Sequence, residues 1–249
     1  PAMRSESSSN PLFGIKLAPR GPFTSDPQGL EAWCWMALPV ILLAVIVATA
    51  LYSPDWYIRW AQPEGYGLLE VSHFFIPAVT ALIAVSLLRH AGVRREPLLV
   101  AWTVMLALGS IYIAGEEHSW GQHFFKWNTP EYWRSINRQQ ETNLHNISHA
   151  FGKLPRSILF AGIVAIGFVY PLLTLRWPGL NARNPLAIFM PPVVLLPAAL
   201  CLIVVDAADK LDAMILVDRA AVRLSEISET FIYLFLLLGV ISLRRRILA

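Results

Sequence analysis

The sequence predicts an all-α, polytopic membrane bundle of about six transmembrane helices, and three observations carry that expectation. Hydrophobic residues fill 55% of its 249 positions and charged residues only 15%, whereas soluble domains carry about 25% charged residues. Six apolar segments approach the roughly 20 residues that a helix needs to cross a hydrocarbon core about 30 Å thick. None of the six shows the in-out alternation of a transmembrane barrel, and lipid offers backbone groups no other hydrogen-bond partners, so helices remain.

Taken in order, residues 1–30 form a flexible polar arm that includes SESSSNP and several prolines and glycines, with no apolar core of signal-peptide type before Trp33. Residues 31–249 form a single transmembrane helical domain. Its expected spans are Ala32–Leu51, Leu68–Leu88, Leu98–Glu116, Arg156–Leu175, Leu186–Asp206 and Leu224–Leu243. Pro191, Pro192 and Pro197 interrupt the fifth. Trp56 and Trp60 in the first loop, with Trp120, Phe124, Phe125, Trp127, Tyr132 and Trp133 beyond the third span, have the composition of a belt in the headgroup region. Cys34 and Cys201 both fall inside spans and read as small hydrophobes rather than a disulfide framework.

A net charge of +3 and a pI near 9.0 do not signify nucleic acid, because the basic residues are scattered over loops instead of forming a stripe. Membrane topology explains them better. Arg89, Arg94 and Arg95 in the second loop, Arg176 and Arg183 in the fourth and Arg244, Arg245 and Arg246 in the tail lie on one side of a six-span chain. The positive-inside rule then puts both termini in the cytoplasm.

The acidic residues converge on the opposite side. Glu70 opens span two, Glu116 and Glu117 close span three, Asp206 and Asp209 close span five, and Glu226 and Glu229 open span six. This convergence follows from the number of spans alone. Ionisable groups at membrane depth are expensive unless they pair, face a cavity or bind a metal, so a cluster drawn from several helices is a candidate site. Glu70 and His73 lie one turn apart, as do Glu226 and Glu229, and each pair can face the bundle interior.

The loop between spans three and four contains ETNLHNISHA, in which Glu141, His145 and His149 recur every fourth residue. That spacing predicts an interfacial helix with three ligands along one stripe, and histidines at i and i+4 are a familiar way for a helix to hold a divalent ion. Asn143 and Asn146 flank His145 and are candidates to contact substrate or fix its tautomer, with Trp120 and Gln122 as further substrate contacts.

The strings GEEHSWGQ (115–122), TPE (129–131) and ETNLHN (141–146), with EGYGLLE (64–70) before them and SEISE (225–229) after, resemble a family of uncharacterised bacterial multi-pass membrane proteins. The resemblance spans roughly residues 60–243. It implies a common architecture, a bacterial inner-membrane location and a shared polar centre built on Glu116, Glu117, Glu141 and His145. At the positions of His118 and His123 the family pattern holds an apolar and a basic residue, so neither is implied as a ligand.

Three functions compete. The first is a metal-dependent enzyme acting on a lipid or other hydrophobic substrate, with Glu116, Glu117 and His145 catalytic and Glu70, His73, Glu117, Glu141, His145, His149 and Glu229 as ligands to iron, manganese or zinc. Carboxylate-bridged bundles of this type use single glutamates and Glu-x-x-His motifs, and Glu70-x-x-His73 supplies one. The second is a zinc- or glutamate-dependent hydrolase of lipid amide, ester or peptide bonds, with zinc on His73, His145 and His149. It is similar to membrane ceramidases and adiponectin receptors in placing a serine, Ser72, beside the first histidine. The third is an ion-coupled transporter or a subunit of a membrane complex. Expected partners are the lipid bilayer and a hydrophobic small molecule, with a homo-oligomer as a further candidate and no nucleic acid.

Overall fold

The computed structural model describes residues 29–63, 65–215 and 223–248; the polar arm expected over residues 1–30 lies almost wholly outside the described residues. Among those described there is no strand, and six helices are long and apolar enough to cross a membrane. The chain is an all-α membrane bundle.

Its main helices are α1 (Gly29–Tyr52), α2 (Leu68–Leu87), α3 (Pro97–Glu117), α4 (running from His149–Gly162 through Ile163–Val169 to Tyr170–Arg176), α5 (Leu196–Ile215) and α6 (Leu224–Leu248). Helices α5 and α6 are central, with more than half of each span buried. Helix α2 packs between α3 and α6, while α1 lies on the outside against α5. Trp33, Ile41, Val45, Leu82, Leu108, Ile158 and Val204 point outward on the bundle surface, which lipid covers as readily as protein does.

The observed spans follow the expected ones within a few residues at most ends, with two informative departures. Pro192 caps a short 3-10 turn, Val193–Leu195, from which α5 starts; proline at a helix start lacks only a donor that would be unpaired there. Helix α5 then runs past Asp206, which is therefore inside the helix and accepts a 2.5 Å ion pair from Lys210 one turn on. In α4 a π-helical stretch, Ile163–Val169, opens the middle of the span, and the Tyr170 N–H reaches back five residues to Ala165 O. Gly167 lies in this stretch, where a Cβ would stand 2.3 Å from the Phe235 ring of α6. Absence of a side chain there lets α6 approach α4, and that approach brings Glu229 of α6 to Arg156 of α4.

Because successive spans are antiparallel, the start of α2, the end of α3, the start of α4 and the start of α6 meet at one end of the bundle. Of the acidic residues expected to converge, Glu70, Glu117, Glu226 and Glu229 form a physical cluster there, whereas Asp206 pairs with Lys210 on its own helix.

Candidate metal centre

Helix α3 ends at Glu117, and the chain reverses through Ser119, Trp120 and Gly121, all three at positive φ (49°, 55° and 102°). For serine and tryptophan that conformation costs on the order of 1–3 kcal/mol each, so the surroundings must enforce it. They do so through side chains of the GEEHSWGQ string itself. Trp120 Nε1 donates to Glu116 Oε1 at 2.8 Å. The indole lies against Gly115, where a Cβ would meet the ring at 2.8 Å. Ser119 Oγ donates to Glu141 Oε2 at 2.8 Å and accepts from Asn143 Nδ2 at 2.9 Å. Gln122 Oε1 accepts from the Thr142 N–H at 2.9 Å, and its Nε2 donates to Thr129 at 2.7 Å.

These contacts explain why ETNLHN is not helical. The chain from Asn137 to Ser148 forms turns, and α4 starts at His149 after Ser148 accepts a capping bond from the Phe151 N–H. The stripe of Glu141, His145 and His149 expected from fourfold spacing therefore does not form. Asn137 Oδ1 takes the N–H groups of Gln139 and Glu141, Gln122 takes that of Thr142, and Glu116 Oε2 takes those of Leu144 and His145 at 2.7 and 2.8 Å. Donors that would have built a helix are spent on side chains, the usual way asparagine and its neighbours compete with helix.

Glu116 thus acts as a strut. It is 3% exposed and holds Trp120 and the loop backbone, and the His145 Nδ1 stands 3.5 Å from it without a hydrogen bond. Glu141 is likewise tied to the loop, with His123 Nε2 at 3.2 Å from its Oε1. Burial would push the Glu141 carboxyl up, but hydrogen bonds from His123 and Ser119 outweigh it and hold it below the ordinary glutamate range. The bond to Glu141 raises His123. His145 is also raised, because the neighbouring carboxylates, Glu116 first, overcome its burial. His118, buried between Phe74 and Phe124 with both ring nitrogens unpaired, is lowered by burial and by His123.

Glu117 points the other way, into the bundle. Tyr233 Oη donates to its Oε1 at 2.8 Å. Its Oε2 lies 3.5 Å from His73 Nδ1, and Glu226 Oε2 lies 3.6 Å from the same nitrogen. Arg223 reaches Glu70 at 3.3 Å and Glu226 at 2.8 Å, while Arg156 reaches Glu229 at 3.2 Å. Two triads, Glu70–His73–Glu117 and His73–Glu226–Glu229, have one ligand atom from each member within 4.8 Å of the others and could hold metal.

The orientation of His73 decides what this cluster needs. Its Nε2 contacts Thr230 Oγ1 at 2.8 Å and the Glu226 carbonyl at 3.1 Å. Thr230 spends its own proton on that carbonyl at 3.0 Å. Both neighbours therefore accept, and Nε2 carries the hydrogen. The other nitrogen, Nδ1, is fully buried, makes no hydrogen bond and faces two carboxylates. In the neutral ring a lone pair meets two anions there. Ligand atoms about 2.0–2.2 Å from a shared ion stand roughly 3.0–3.6 Å from one another; Nδ1 is 3.5 Å from Glu117 and 3.6 Å from Glu226, and the other ligand atoms of each triad lie within 4.8 Å.

A cavity of about 350 Å³ opens beside the cluster. Of the residues expected in the site, Glu70, Glu116, Glu117, Glu141, His145, Asn146 and Glu229 line it. Trp120, Gln122 and Asn143, expected to contact substrate, are not in the cavity lining; Trp120 bonds Glu116, Gln122 bonds Thr129 and Thr142, and Asn143 bonds Ser119 and Glu141. The side chain of His149 lies outside the described residues. Arg156, Arg223, Tyr233, Ser119 and His123 were not among the expected site residues. Tyr233 had a legible signal, since Glu226, Glu229 and Tyr233 share one helical face.

Comparison with known protein families, with curated proteins and with solved structures finds no match.

Glu116→Ala should destabilise the protein by about 3 kcal/mol, because two backbone N–H groups and an indole lose their acceptor; thermal unfolding in detergent reads this, and an unchanged midpoint would refute the strut role. The His123–Glu141 pair gives a pH signature. His123, raised on folding, contributes fully below its ordinary value of 6.5 and loses that contribution as pH rises through the folded value. Glu141, lowered on folding, contributes fully above 4.5 and loses it as pH falls through the folded value. The stability gap between wild type and His123→Gln should therefore be widest between pH 4.5 and 6.5. A gap that does not change with pH would show that the pair is not ionic.

Proposed function

We propose that the chain is a membrane metalloprotein whose centre of four carboxylates and one imidazole binds a divalent metal and uses it on a lipid or other hydrophobic substrate. The unpartnered Nδ1 of His73, buried between Glu117 and Glu226, carries this reading. Charge balance supports it. Glu70, Glu117, Glu226 and Glu229 face two guanidiniums, Arg156 and Arg223, so two negative charges remain when His73 is neutral. Negative charge of that size in a half-buried cluster is relieved by proton uptake or by a bound cation, and the cluster offers ligand atoms for the second.

A donor set of many oxygens and one nitrogen suits manganese or iron better than zinc. Both triads include His73, whose Nδ1 serves one ion, so a second ion would be held by carboxylates alone. A metal held there would supply Lewis acidity or one-electron chemistry. The chain's own contribution is to orient the ligands: Tyr233 fixes Glu117, the two arginines fix the other carboxylates, and the Glu226 carbonyl fixes the tautomer of His73.

Zinc on three imidazoles finds less support, since His73 is the one histidine in either triad and His145 is in neither. A transport path is also disfavoured. Among the described residues beyond the centre, α2, α3 and α6 bring the hydroxyls of Thr80, Thr103, Ser110 and Ser242 but no further carboxylate to the interior. With the arginine-rich short loops in the cytoplasm of a bacterial inner membrane, both termini are cytoplasmic and the centre opens on the other side.

Elemental analysis of detergent-purified protein tests the reading. Wild type and Glu96→Gln, altered at the far end of the bundle, should carry manganese or iron at up to about two ions per chain. His73→Gln and Glu117→Gln should lose it. Equal metal in all four proteins, or none in wild type purified without chelator, would overturn the reading.

A further inference from the structure

The wall of the cavity away from the carboxylates carries a different chemistry. Arg138, at the start of the turn-rich loop, and Lys153, in the second turn of α4, both line it. Among the described residues neither side chain has a carboxylate partner. The acids around the cavity are committed: Glu116 and Glu141 to the loop, Glu70 and Glu226 to Arg223, Glu229 to Arg156, and Glu117 to Tyr233. In formal charge, six lining carboxylates face four lining cations, and one divalent ion brings that balance to zero. The uncommitted charge is then positive and sits on Arg138 and Lys153.

Next to these cations runs an apolar track. Phe151, Pro155 and Leu159 recur every fourth residue on α4 and line the cavity on one side, and Ile113 of α3 lines it on another. Phe151 is 53% exposed, so the track begins at the open surface of the helix. A volume of about 350 Å³ is at the small end of ligand sites and accommodates a headgroup with its first carbons rather than a whole lipid.

We propose that the cavity receives the phosphate-bearing headgroup of an anionic lipid, gripped by Arg138 and Lys153, with its acyl chain leaving along Phe151, Pro155 and Leu159. Guanidinium and ammonium groups are the side chains that hold phosphate, the first bidentate and the second as a point charge. Free inorganic phosphate offers the same anion but leaves the apolar track uncovered. This inference rests on the metal reading, because without the cation the cavity is net acidic and would repel an anion.

Native mass spectrometry of the full-length protein in detergent, loaded with manganese, tests it with dioleoyl phosphatidic acid, dioleoylglycerol and inorganic phosphate as probes. Wild type should retain phosphatidic acid at least tenfold more tightly than either other probe. R138Q/K153Q should lose that preference while keeping its manganese, and R89Q/R95Q, which removes the same charge at the other end of the bundle, should retain it. Phosphatidic acid bound equally by wild type and R138Q/K153Q would overturn the inference, as would inorganic phosphate bound as tightly as the lipid. The manganese count in the same spectra separates the two readings. Manganese bound by wild type with no lipid preference defeats the lipid assignment alone, whereas no manganese at all defeats the metal reading on which it rests.

Discussion

Burying Glu116 at the end of α3 requires compensation, and it comes from the backbone N–H groups of Leu144 and His145 together with the indole of Trp120. That single carboxylate pins a loop of irregular backbone onto the end of a membrane bundle. The positive-φ reversal at Ser119, Trp120 and Gly121, the Ser119–Glu141–His123 cluster and the start of α4 all depend on the loop being held there. Irregular backbone is tolerated at this depth only when protein satisfies it, and Glu116, Gln122 and Asn137 do so.

Adjacent residues on a helix point about 100° apart, so Glu116 and Glu117 cannot share a task. While the first holds the loop, the second enters the bundle and meets His73 and Tyr233. Helix α6 completes the arrangement by presenting Glu226, Glu229, Thr230 and Tyr233 on the face turned to α2 and α3. The polar centre is thus a product of helix packing, whereas the cavity in front of it is a product of the loop. Gly167 contributes from a distance, since its missing side chain sets how near α4 and Arg156 come to α6.

Much of this was legible in the residues. Long apolar runs define the six spans, and the order of charges along an antiparallel chain is enough to bring Glu70, His73, Glu117, Glu226 and Glu229 to one end. The loop was not legible. Glu141, His145 and His149 have helical spacing, yet spacing says nothing about competition for backbone donors, and Asn137, Gln122 and Glu116 win that competition from outside the segment. For the same reason the roles of Gln122 and Asn143 were hidden, because their partners lie 20 and 24 residues away in the chain. Arg156 and Arg223 look like ordinary loop-proximal cations until packing places them on carboxylates.

The proposed metal ion would be bound by the Nδ1 of His73. Electron spin-echo spectroscopy of the manganese-loaded full-length protein, grown with 15N-histidine, reads it directly. A coupling from one directly bound histidine nitrogen is expected in wild type, unchanged in His145→Gln and abolished in His73→Gln. No nitrogen coupling in wild type, or a coupling that survives in His73→Gln, would contradict the account.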